Sequence, residues 1–163
     1  MSDLLANDVR LQFNKAIDTL RGIAEAFPAD RWLEVHGDDV FYIPSRIAYH
    51  AASYIDFQMM GGIKDPDFDA KLPYGSWRDG TAQTLPSKEA FLSYYDELYP
   101  RIQEMLADLT DESLCTPLEP ERPHYGKSLL SVYLYMLREL GAHEGELNKM
   151  LVDNGLDDVW VNR

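Results

Sequence analysis

The sequence predicts an all-α fold, built as a four-helix bundle. Three observations predict it. Four segments, each about 17–27 residues long, place apolar residues at steps of three and four, the pattern of bundle helices. Proline or serine opens several of them and glycine or proline closes them. No stretch alternates with period two for long enough to make a strand; VFYI at 40–43 is the nearest, and it is too short to build a sheet alone.

The first segment carries Val9, Phe13, Ile17, Leu20, Ala24 and Phe27 on one stripe, and Pro28 and Asp30 end it. The second starts near Pro44 and Ser45 and runs to Gly61-Gly62. The third starts after Pro86 with Ser87 as its N-cap, and its stripe is Phe91, Tyr95, Leu98, Ile102, Met105 and Leu109. Pro100 lies inside it, removes one backbone bond and predicts a kink near Asp96. The fourth starts near Ser128 and stops at Asn154-Gly155.

The connection from Gly61 to Pro86 is long and rich in proline, glycine and aspartate. Such loops are uncommon in compact domains and often serve as lids or binding loops. Two compatible readings follow. Tyr74 and Trp77 cover a pocket, or they anchor a crossover between helices that pack parallel.

The chain of 163 residues suits a single domain, 1–163. It holds 45% hydrophobic and 26% charged residues, ordinary for a soluble globular protein. Its net charge of −13 repels phosphate backbones and anionic lipid, so it argues against nucleic-acid or membrane partners. The opening MSDLLANDVRLQF lacks a basic start followed by an apolar run, and no apolar run approaches the ~20 residues of a bilayer span. The expected location is cytoplasmic. Cys115, the single cysteine, lies in the acidic stretch DESLCTPLEP, where a reactive thiolate is disfavoured.

The chemistry-bearing pattern is a pair of histidines. On the fourth segment Leu129, Tyr133, Met136, Leu140, His143, Leu147 and Met150 share one side, and His143 is the odd member. On the second, Ile43, Ile47, His50, Tyr54 and Phe57 do the same around His50. A buried imidazole needs partners for its nitrogens. Hydrogen bonds to Tyr54, a carbonyl, water or each other would supply them. Glu139 adds a second answer: four residues before His143, it projects from the same face. His50, Glu139 and His143 thus form a candidate His2Glu set, known at catalytic zinc sites and suited also to non-haem iron. The competing reading pairs Glu139 with an arginine or lysine. A di-iron centre is excluded, because it needs Glu-x-x-His twice, whereas here His143 precedes Glu146 and the arrangement occurs once. His36 and His124 lie in apparent loops and are expected outside the site. There is no Gly-rich phosphate loop, no Gly-x-Ser-x-Gly elbow and no Cys-x-x-Cys pair.

Three segments, SRIAYHAASYIDF, FLSYYDELYPRIQEMLADLTDESL and ELGAHEGELNKMLVDNGL, occur in the order and spacing of the DinB-like superfamily, which the chain resembles over nearly its whole length. The family's last-helix motif is His-x-x-x-His-x-Gly-(Gln/Glu)-(Leu/Ile). His143, Gly145, Glu146 and Leu147 match it, Glu139 stands at its first histidine, and His50 matches the ligand of the second helix. The resemblance implies an up-down-down-up bundle with a long crossover between helices two and three. It implies one divalent metal ion, zinc or nickel foremost, held by His50, Glu139 and His143, and often a homodimer. It further implies an enzyme that activates a low-molecular-weight thiol or water, as a transferase or hydrolase. Tyr49, Tyr54 and Glu146 are the candidates for proton transfer or for orienting a ligand, with Tyr54 and Glu146 foremost. A bundle that has lost its metal and binds a small ligand or protein partner is the alternative.

Overall fold

The computed structural model describes residues 3–59, 68–118 and 125–161. Among them the fold is all-α. Its helices are α1 (Leu4–Ala26), α2 (Pro44–Met59), α3 (Phe68–Lys71), α4 (Lys88–Ala107), α5 (Asp111–Leu114) and α6 (Leu129–Asp153). No strand occurs among the described residues; Pro117 and Ser128 form one isolated bridge at the foot of α6. No described helix is long and apolar enough to cross a membrane.

The predicted stops hold where the structure describes them. Ser87 caps α4 by accepting from the Ala90 N–H at 3.2 Å, and Gly155 takes a left-handed conformation (φ +76°) just past α6. The end foreseen for α2 at Gly61-Gly62 lies outside the described residues. α4 continues through Pro100. Asp96, which loses its backbone partner there, is exposed, so water can satisfy its carbonyl.

Two short helices were not foreseen. Phe68–Lys71 interrupts the long crossover. Asp111–Leu114 turns a stretch read as loop into one helical turn, held by a capping box between Thr110 and Ser113. Four residues carry too little periodicity for a stripe to show.

The four long helices pack α1 on α4 and α6, and α2 on α4 and α6. Between α1 and α4, Tyr95 donates to the Ile17 carbonyl (2.8 Å), Tyr99 to Asp18 (3.0 Å), Gln103 to Asn14 (2.8 Å) and Arg10 to the Leu106 carbonyl (2.8 Å). Between α2 and α4, the Tyr49 and Tyr94 rings meet edge to face, and Asp56 accepts from Tyr94 and Arg101. Phe13 meets Tyr133 across α1 and α6. The core stripe of α1 is buried as predicted. On α2 the stripe departs from expectation. Ile43 and Ile47 are buried, but His50, Tyr54 and Phe57 are only partly so. The fully buried side of that helix is Ala48, Ala52 and Ile55. His50 therefore stands at the edge of the core, where the packing opens into cavities.

Candidate metal centre

His50 and His143 approach each other from α2 and α6, their ring centroids 4.7 Å apart and the planes at 76°. Glu139 reaches the same point one turn before His143, with a carboxylate oxygen 3.9 Å from His143 Nε2. One donor atom from each of the three side chains lies within 4.8 Å of the other two. So the structure brings together the three residues singled out in the sequence.

Two features test whether the set suits a cation. His50 Nδ1 and His143 Nε2 are buried without a hydrogen-bond partner. A buried nitrogen with nothing to bond is costly, and a cation would satisfy it. The second feature is protonation. Burial pushes the His50 imidazole down to about 3, with His143 and Arg78 adding repulsion, so at neutral pH it is uncharged with a free lone pair. The fit requires contraction. Two donors on a shared tetrahedral zinc sit about 3.4 Å apart, so Glu139 and His143, at 3.9 Å, would draw together by about half an ångström, and donors at the 4.8 Å limit of the set by about 1.4 Å. Glu139 also has a rival partner, since Arg138 Nη2 lies 3.3 Å from its other oxygen.

Glu146 sits on the opposite edge of the His143 ring, its carboxylate 2.7 Å from Nδ1. That contact favours the proton on Nδ1 and leaves the Nε2 lone pair turned toward Glu139 and His50. Tyr54 stands 6.3 Å from His50 between ring centroids. Its hydroxyl donates to Tyr125 (3.1 Å) and accepts from Gln58 (3.0 Å), and burial pushes its pKa upward. Tyr49 faces away: its hydroxyl donates to the Gly75 carbonyl and accepts from the Tyr74 N–H.

The crossover supplies a cover. Trp77 lies against His50 with ring centroids 3.9 Å apart. Tyr74 instead packs on Tyr49 and donates to the Ala90 carbonyl, so it is an anchor. Trp77 borders two cavities that meet at His50. The larger, about 490 Å³, is walled by Tyr54, Phe57, Phe68, Tyr125 and Tyr135 with Glu139 at its edge. The smaller, about 220 Å³, lies toward Phe41, Arg46, His143 and Glu146.

Sequence reasoning missed Arg46, Glu144 and the contact of Trp77 with His50. Glu144 is buried on another side of α6, beside Lys15, Thr19 and Trp160. Burial pushes its carboxyl up to about 8. His36 is paired with Asp153 (3.0 Å), which ties its loop to the end of α6 and places it outside the centre. His124 lies outside the described residues. Cys115 is free and exposed. No family model matches the chain, and no curated protein matches it significantly. The chemistry of the centre is therefore read from its own side chains.

Proposed function

We propose that the chain is a metal-dependent enzyme of the DinB-like type, with His50, Glu139 and His143 as the ligands of one divalent ion. The observation that carries this reading is the pair of buried, unpartnered imidazole nitrogens beside Glu139. Zinc and nickel suit the set, and two histidines with one carboxylate also suit iron. An ion held there would supply Lewis acidity that lowers the pKa of a bound small thiol or water. The chain's own residues do the rest. Glu146 holds His143 in one tautomer, Trp77 shields His50 from water, and Tyr54 and Tyr125, whose hydroxyls bond each other and Gln58, wall the larger cavity. The reaction class is transfer or hydrolysis of a small molecule.

The bundle topology belongs to the same proposal. Contacts between α1 and α4 run in opposite chain directions, from Tyr95–Ile17 to Arg10–Leu106. Those between α2 and α4 run together, from Tyr49–Tyr94 to Asp56–Arg101. Those between α2 and α6 oppose, from His50–His143 to Tyr54–Tyr135. Together they support up-down-down-up order.

Elemental analysis of protein purified without a metal-affinity tag tests the reading. One ion per chain is expected, absent from His50→Ala and His143→Ala. A wild-type protein that neither carries nor takes up divalent metal would overturn it in favour of a ligand-binding bundle.

A further inference from the structure

Arg46 is the least expected charge in the molecule. It lies in the first turn of α2 and is only 7% exposed. Arginine is rarely buried unless paired. Its guanidinium offers five N–H donors. Three go to backbone carbonyls of the crossover: Nη1 to Trp77 (3.0 Å) and Arg78 (2.9 Å), and Nη2 to Gly80. Nε is buried and has no partner. All three acceptors are neutral, and among the described residues no carboxylate pairs with this arginine. The first turn of α2 holds no acidic residue, so the helix dipole adds positive potential rather than cancelling it. A buried cation without a counter-charge is costly. The loop-pinning bonds explain where Arg46 sits, but they leave its charge unneutralised.

Arg46 borders the smaller cavity, the one that ends at His50 and His143. The rest of its wall is largely apolar. Phe41 lies 5.0 Å from the guanidinium carbon, and Ile47 and Trp77 continue the surface. Phe41 is 56% exposed, an apolar side chain left uncovered at the rim. The one acidic residue in the wall is Glu146, already engaged with His143 Nδ1.

We infer that this cavity is a carboxylate subsite. It takes a small organic acid whose carboxylate meets Arg46 and whose apolar part lies along Phe41, Ile47 and Trp77 toward the histidine pair. A carboxylate in the cavity would supply the counter-charge that the three carbonyls do not. A phosphate would leave further oxygens against Phe41 and Ile47 without partners. The subsite names a substrate class for the proposed metal centre and rests on that reading for the reacting group. The anion contact itself needs only Arg46.

The test titrates benzoate into the full chain, both as purified and after chelation, following the indole N–H resonance of Trp77. Benzyl alcohol and inorganic phosphate are parallel probes. Saturable shifts with benzoate are expected in both forms, with at least tenfold weaker binding of the alcohol and of phosphate. Arg46→Gln removes the charge, and should weaken benzoate at least tenfold. Should that variant misfold, Phe41→Ala at the exposed rim should weaken benzoate severalfold. Equal binding of benzoate and benzyl alcohol, phosphate binding as tight as benzoate, or no shift at all overturns the subsite. So does benzoate binding that needs metal and ignores Arg46→Gln. Benzoate bound through Arg46 by a protein that takes up no metal supports the subsite and removes the metal reading alone.

Discussion

Glu146 and His143 form a 2.7 Å contact at Nδ1, and it decides which imidazole nitrogen is free for a ligand. Partners of this kind typically change metal affinity about 10–100-fold when removed. Glu146→Ala should therefore weaken metal binding by about that factor while the far-ultraviolet dichroism stays that of the wild type. Competition with a chromogenic chelator reads the affinity. An unchanged value would show that Glu146 does not orient the ring.

In the proposed ligand set Glu139 would set the charge. Glu139→His keeps three donors and should alter zinc affinity only modestly, whereas Glu139→Ala should lower it by at least tenfold, as for a lost ligand. Calorimetric titration distinguishes the two. If Glu139→His binds zinc and the wild type does not, the carboxylate belongs to Arg138 and not to a metal.

Asp56 is 5% exposed and joins α2 to α4 through Arg101 (2.7 Å) and Tyr94 (3.2 Å). Removing it strands a buried phenol and an arginine. The arginine is about half exposed, so solvent softens its loss. Asp56→Ala should cost roughly 2–3 kcal/mol, read as a lowered urea midpoint with an unchanged slope. A loss below about 0.5 kcal/mol would mean that water replaces both bonds.

Tyr49 and Tyr133 are both pushed up to about 12 by burial, and Tyr54, Tyr94 and Tyr95 are raised for the same reason. In the unfolded chain these phenols titrate near 10. Below that pH both states hold the protons and nothing changes. From about 10 upward the unfolded state loses them first, so stability falls as pH rises through about 12. Denaturation at a series of alkaline pH values should show this decline, less steep in Tyr133→Phe. A flat profile to pH 12 would contradict the burial of these rings.

The long helices were legible because their apolar steps of three and four run on for many residues, and the stops at Ser87 and Gly155 are chemically specific. His50 and His143 were legible as polar members of apolar stripes. Their setting was not, since a stripe does not tell a packed core from the wall of a cavity. Arg46 escaped notice because its partners are carbonyls of a loop whose path no periodicity encodes. Trp77 was foreseen as cover or anchor, and only the folded crossover shows which.

The tilted contact of Trp77 with His50 has an optical consequence. Of the three tryptophans, Trp32 packs on Phe27 and Phe91 and Trp160 borders another cavity beside Glu144, whereas Trp77 meets His50. Its emission should change when the neighbouring imidazole takes up a cation. The proposed centre would thus carry its own fluorophore, and stopped-flow mixing with zinc should show a change in emission without any added dye.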